Sequence, residues 1–220
     1  MAKTLFDFTK KFEYENGFYL TSDITRIGKL LSQYELYKKT VNLPGDIIEC
    51  GVFKGASLIR LASFRDLLES TYSRKIIGFD TFEKLPSTNY YDDIQVLNKF
   101  IDEAGDKCIS IEELTRTLHR KGLKNIELIK GDINITIPEY VKKCPSLKIA
   151  LLHIDTDVYE PAVTILEYLY EKIVREGIIM FDDYGTFPGE TKAVDEFFKN
   201  KNVVIRKLSL NYIPSYVIKE

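Results

Sequence analysis

Two segments, Ile149-Ala150-Leu151-Leu152-His153-Ile154 and Gly177-Ile178-Ile179-Met180-Phe181, are apolar almost without a break, and each runs straight into acid: Asp155 after the first, Asp182 and Asp183 after the second. A strand with one wet face alternates polar and apolar residues, whereas a strand that does not alternate has both faces covered. Such strands belong to parallel sheets with helices on either side. In that architecture the ligand crevice opens beyond the carboxyl ends of the strands. The three acids are therefore expected to face one place. Two carboxylates about 4 Å apart, at an effective dielectric near 20, repel by roughly 4 kcal/mol. Protonation relieves that repulsion, and so does a divalent cation. Hard oxygen ligands of this kind suit Mg²⁺. The bland alternative is a solvated Asp-Asp loop.

The rest of the chain alternates strand and helix patterns, which indicates βαβ units and a doubly wound α/β sheet. Ile24, Ile27, Leu30, Leu31, Tyr34, Leu36 and Tyr37 predict a helix over residues 23–40, broken by Asn42-Leu43-Pro44-Gly45. Strands are predicted at 46–50, 75–79, 125–130, 148–154 and 177–181. Helices are predicted from the turn at 51–57 to about residue 70, over 111–121 with Gly122 as the stop, around 138–144, from about Pro161 through 174, and near 190–200. Two tail strands, 203–208 and 215–219, have no helix-length link and are expected to pair antiparallel. Residues 81–110 are polar and irregular, and read as a lid or an inserted helix. The 220 residues suffice for one domain over a single core, with an amino-terminal helical cap to about residue 44.

Several classes are excluded. The net charge is −2 with Lys and Arg scattered, so no basic stripe marks a nucleic-acid surface. No stretch approaches the ~20 apolar residues of a membrane span, and Met1 to Lys11 lacks the apolar core of a signal peptide. The three cysteines, Cys50, Cys108 and Cys144, form no CxxC pair, and an odd number fits a reducing compartment; a cytoplasmic protein is expected. His119 and His153 are too few for a histidine cage. His153, inside a strand, reads as a core or wall residue, with a general base as the lesser reading.

Glu49-Cys50-Gly51-Val52-Phe53-Lys54-Gly55 forms the first strand-to-helix turn. Gly51 permits a tight turn, and a missing side chain lets a ligand approach the backbone. The helix that follows offers free N–H groups. Glycines four apart after an acid are not the GxGxxG dinucleotide pattern and suit a nucleoside carrying an amino acid, with Glu49 attracting an ammonium group. Packing glycines are the competing explanation. Asp80 ends the second strand, where an acid accepts from ribose hydroxyls in doubly wound folds. Asp132, after the third, can meet the exocyclic amine of adenine. As isolated residues both fit loop or capping aspartates equally well. Asp157 either joins Asp155 at the site or caps the next helix.

Taken together, Glu49–Gly55, Gly78-Phe79-Asp80-Thr81-Phe82-Glu83-Lys84-Leu85-Pro86, His153-Ile154-Asp155-Thr156-Asp157-Val158-Tyr159 and Phe181-Asp182-Asp183-Tyr184-Gly185 resemble the macrocin O-methyltransferase family over residues 23–198. The resemblance implies a seven-stranded class I methyltransferase sheet with the last strand antiparallel. It implies S-adenosylmethionine against Glu49, Gly51, Gly55, Ser57, Asp80 and Asp132, and Mg²⁺ on Asp155, Asp182 and Asp183. The implied acceptor is a small-molecule hydroxyl on a sugar or glycoside; Asp155 or Asp157, beside the expected cation, is the candidate to take its proton, directly or through a water. The resemblance also suggests a homodimer through the amino-terminal helix. Rival readings are a catechol- or phenol-type methyltransferase and a nucleotide-binding domain without catalysis.

Overall fold

The computed structural model describes residues 6–220. The reading of residues 1–11 as free of a signal sequence falls partly outside that range. Among the described residues no helix is long and apolar enough to cross a membrane.

Seven strands form one sheet in the order β3-β2-β1-β4-β5-β7-β6. The strands are β1 (Asp46–Cys50), β2 (Ile76–Asp80), β3 (Ile126–Lys130), β4 (Ile149–Ile154), β5 (Ile173–Phe181), β6 (Arg206–Lys207) and β7 (Ser215–Ile218). The first five are parallel. β7 runs antiparallel to β5, and β6 antiparallel to β7. The helices are α1 (Lys11–Thr21), α2 (Ile24–Lys38), α3 (Ala56–Leu68), α4 (Tyr91–Ala104), α5 (Ile111–Arg120), α6 (Ile133–Lys143), α7 (Tyr159–Leu169) and α8 (Pro188–Phe198).

Alternate residues of each strand enter different cores, which is why the strands show no polar alternation. Ile48, Ile77, Ile179 and Phe181 pack with α6, α7 and α8 through residues such as Ile137, Ile165 and Val194. Ile47, Ile76, Ile178 and Met180 pack on the opposite face with Leu36 and Tyr37 of α2, Leu58 and Leu61 of α3, and Leu114 of α5. Buried arginines close the edge of the sheet away from the carboxyl ends. Arg65 donates to the carbonyls of Arg74, Lys124 and Asn125. Arg74 donates to those of Thr40, Val41, Leu43 and Gly45 and to Glu69.

The predicted elements are present, with shifted bounds. α7 ends at Leu169, not 174, and β5 starts at Ile173, because β-branched Ile173 and Val174 join the sheet before an irregularity at Glu176 (φ +65°). α6 starts at Ile133, because Asp132 caps it by accepting from the N–H of Asn134; Pro138 lies inside the helix, not at its start. β6 is two residues long. Residues 81–110 contain an inserted helix, α4, whose Leu97 packs with Val158 and Phe187. α1 buries none of its residues.

Candidate active site

A cavity of about 1010 Å³ opens over the carboxyl ends of β1, β2, β4 and β5. Gly51, Ser57, Asp80, Asp132, Asp155, Asp157, Asp182 and Asp183 all line it. The strand order changes direction between β1 and β4, the switch point where doubly wound sheets bind ligands.

Gly51 adopts φ +90°, and a Cβ there would lie 1.7 Å from the carbonyl oxygen of Asp155. The glycine is required by the end of β4, not by a ligand. Gly55 (φ +82°) precedes α3, and its Cβ would meet Leu114 Cδ1 at 2.9 Å. Gly55 does not line the cavity, so the packing explanation holds for it. The turn is held by Asp80. One of its oxygens accepts from the N–H of Val52 (2.7 Å) and Phe53 (2.9 Å), the other from that of Phe82 (2.6 Å). Phe53 and Phe82 both sit at positive φ, so these bonds stabilise strained backbone. Asp80 is thus committed to the loop while it also lines the cavity. Asp132 is at the rim as the cap of α6.

Glu49 departs from expectation. Its side chain is fully buried and does not line the cavity. Glu49 and His153 are register partners on β1 and β4, so their side chains leave the same face. His153 Nδ1 lies 3.1 Å from Glu49, and its Nε2 lies 3.3 Å from Asp182. Both ring nitrogens are occupied, which removes His153 as a free base. Burial alone would lower its pKa, but Asp182 and Glu49 outweigh that and push it up to about 10. The residue is an imidazolium strut that holds Asp182.

The acids fall into two overlapping sets. His153, Asp155 and Asp182 present atoms within 4.8 Å of one another, and so do Asp155, Asp157 and Asp183. Asp182 and Asp183 are not grouped together, because consecutive residues leaving a strand point to opposite sides. Asp182 is also paired with Lys29 of α2. Burial would raise the Asp182 carboxyl, but Lys29 and His153 hold it below the usual carboxylate range. The other set behaves oppositely. Burial and the charge of Asp182 raise Asp155 well above its ordinary value. Burial pushes Asp157 up to about 7. Burial, Asp157 and Glu190 raise Asp183. Glu190 accepts from the N–H of Asp183 at 3.0 Å, while its other oxygen and Asp183 Oδ2 are buried without a partner. This end of the cavity is short of positive charge.

The macrocin-O-methyltransferase (TylF) family matches this chain over residues 25–213. The chain belongs to that family. The sheet is that of the class I methyltransferases. Calicheamicin methyltransferase CalS11 superposes with a TM-score of 0.77 at 26% identity, over 94% of this chain and 85% of the other. The O-methyltransferase NovP gives 0.75 at 23%, over 88% and 80%, and speaks for the fold alone. Demethyldecarbamoylnovobiocin O-methyltransferase of Streptomyces niveus is 27% identical over 168 residues, which is 71% of this chain and 59% of the relative. Mycinamicin III 3''-O-methyltransferase of Micromonospora griseorubida is 26% identical over 162 residues, 70% and 61%. The match thus spans less than two thirds of these relatives' own length.

Sequence reasoning about this macrocin O-methyltransferase family member missed Lys29, Glu190 and Asp93. Lys29 was visible only as a polar position on an amphipathic helix, and nothing local pairs it with Asp182. Glu190 carries no local signal beyond that of an acid at the start of the helix predicted near 190–200. Asp93 is fully buried on α4, where one oxygen accepts from the N–H of Gly189 (2.6 Å) and the other from that of Tyr159 (3.0 Å). It thereby caps the starts of α7 and α8, the two helices that follow the acid-bearing loops.

Proposed function

We propose that the chain is an S-adenosylmethionine- and Mg²⁺-dependent O-methyltransferase acting on a hydroxyl of a sugar or glycosylated natural product. Family membership and relatives named for novobiocin, tetracenomycin and mycinamicin substrates support the reaction class. The observation that carries the metal is the Asp155–Asp157–Asp183 set, whose carboxyls are raised by burial and mutual repulsion and include a buried oxygen without a partner. All-oxygen donors of this kind fit Mg²⁺.

We assign the metal to Asp155 and Asp183 of that set, keep Asp157 as the base, and take Asp182, grouped with Asp155 and His153, as a third ligand once it releases Lys29. When bound, Mg²⁺ supplies charge that lowers the pKa of a nearby hydroxyl and fixes its direction. S-adenosylmethionine supplies a methyl group already activated on a sulfonium. The chain's own part is positioning and proton transfer. Gly51, Ser57, Asp80 and Asp132 face the donor half of the cavity. Asp157, whose carboxyl burial raises in the metal-free protein, is the group we assign to accept the acceptor's proton. Leu85, Phe100 and Phe187 give the cavity an apolar wall that limits water.

The test is methyl transfer to a deoxysugar glycoside and to catechol, with Mg²⁺ or excess EDTA, in the wild type and Asp182→Ala. We expect transfer to the glycoside, loss in EDTA, and a drop of about 100-fold or more in the variant with S-adenosylhomocysteine still bound. An Asp182→Ala protein fully active in EDTA removes the metal from the mechanism. Transfer to catechol alone replaces the acceptor class.

A further inference from the structure

The cavity has a second charged feature that methyl transfer to a neutral hydroxyl does not use. Arg60 of α3 and Arg26 of α2 both line it, beside Lys29. Neither arginine has a carboxylate within ion-pair distance among the described residues. Lys29 is already paired with Asp182. Arg60 is half-buried, and of its five N–H donors one is engaged, at 3.2 Å by the side-chain oxygen of Gln33. Gln33 is itself fully buried, so this neutral contact fixes where the guanidinium points. Burial and then the neighbouring Arg26 lower the pKa of Arg60. Both guanidinium groups thus line one cavity, with Arg60 partly desolvated in its wall.

A half-buried guanidinium with a like charge beside it is unfavourable in isolation, and it is the geometry that receives a bidentate anion. Two kinds of anion compete for these cations. The acids of the candidate metal set are near, but they are engaged by one another and by Lys29. The other anion is one that arrives with a ligand. Arg26 and Lys29 are one turn apart on α2, and Arg60 is one turn into α3, after Ala56 and Ser57, which also line the cavity. Gly51 of the glycine turn, Tyr212 and Ile213 line the same cavity as the pair.

We propose that Arg26 and Arg60, oriented by Gln33, form an anion-binding subsite of the cavity. The inference rests on the reading of this cavity as a donor and acceptor site, and it narrows the ligand chemistry. Two groups fit: the carboxylate of the donor's methionine moiety, and a phosphate or diphosphate carried by the acceptor.

The experiment is calorimetric titration of the full chain with three probes: S-adenosylhomocysteine, its decarboxylated analogue, and inorganic pyrophosphate. The wild type is compared with Arg26→Gln and Arg60→Gln, with circular dichroism to check folding. Arg26 is exposed, so its variant remains interpretable if Arg60→Gln does not fold. If the donor carboxylate is the occupant, each variant weakens S-adenosylhomocysteine by about tenfold or more, and the wild type loses a similar factor on the decarboxylated analogue. If an acceptor phosphate is the occupant, S-adenosylhomocysteine binds the variants normally, whereas pyrophosphate binds the wild type and is lost in both. Unchanged affinity of the folded variants for both anionic probes overturns the subsite, and so does a wild type that binds neither. A wild type that binds pyrophosphate but not S-adenosylhomocysteine refutes the donor assignment while leaving the subsite standing.

Discussion

Gly51 and Asp155 meet at the switch point of the sheet, where the glycine α-carbon faces the aspartate carbonyl so closely that no side chain fits between them. The backbone ladder continues through the same place, with the N–H of Asp155 donating to the carbonyl of Cys50 at 2.9 Å. The glycine turn after β1 and the acid loop after β4 are therefore one rigid unit. Gly51→Ala combines a backbone clash with φ +90°. A loss of about 3 kcal/mol or more is expected from strain and overpacking together. Thermal or denaturant unfolding measures it, and a near-neutral result would mean that the turn can relax away from β4.

Asp93 ties the inserted helix to the starts of α7 and α8. Asp93→Ala leaves the N–H groups of Tyr159 and Gly189 without that acceptor. Each unsatisfied buried donor costs about 1–3 kcal/mol. The expected result is a lower Tm and faster amide exchange in both loops that carry the acids. Exchange confined to α4 would show that the loops hold their shape unaided.

On the proposed metal assignment, Lys29 and a divalent cation would compete for Asp182. Lys29→Met removes the internal competitor, so Mg²⁺ affinity should rise by about tenfold, while the metal-free protein becomes less stable because a buried pair has lost one partner. A Mg²⁺ titration of both proteins checks the first part and melting in EDTA the second. Weaker Mg²⁺ binding in the variant would mean that the ammonium supports the cation site.

Cys108 lines the cavity, where burial and then Asp80 push its thiol up to about 12. At pH 8 the thiol is then almost wholly protonated, so alkylation should be slow and should accelerate steadily as pH rises towards 11. The folded state holds this proton more tightly than the unfolded chain, whose value is near 9.0. The contribution to stability is thus intact below that pH and falls as pH rises through the folded value. Rapid labelling at pH 8 by a thiol reagent, read by mass spectrometry, contradicts this placement.

The strands were legible because their signal is local. A strand buried on both faces is apolar almost throughout, as Ile178–Phe181 is and as Ile149–Ile154 is apart from His153. Helix bounds were less legible, since Ile173 and Val174 satisfy a helix pattern and a strand equally well. The site was half legible. Acids after successive strands had to converge once the sheet was parallel, and Asp155, Asp157, Asp182 and Asp183 do converge on one cavity. Glu49 fitted the same rule but turns instead to His153, a choice set by the register of β1 on β4.

The order of residues by itself determined a parallel, two-sided sheet and delivered acids to its carboxyl edge, because periodicity and position along a strand are properties of the chain. Only the tertiary structure decided what each acid faces. Lys29 meets Asp182 from α2, and Asp93 meets the starts of α7 and α8 from α4, each across a long stretch of sequence. Electrostatic partners depend on distance in space, and residue spacing carries no record of it.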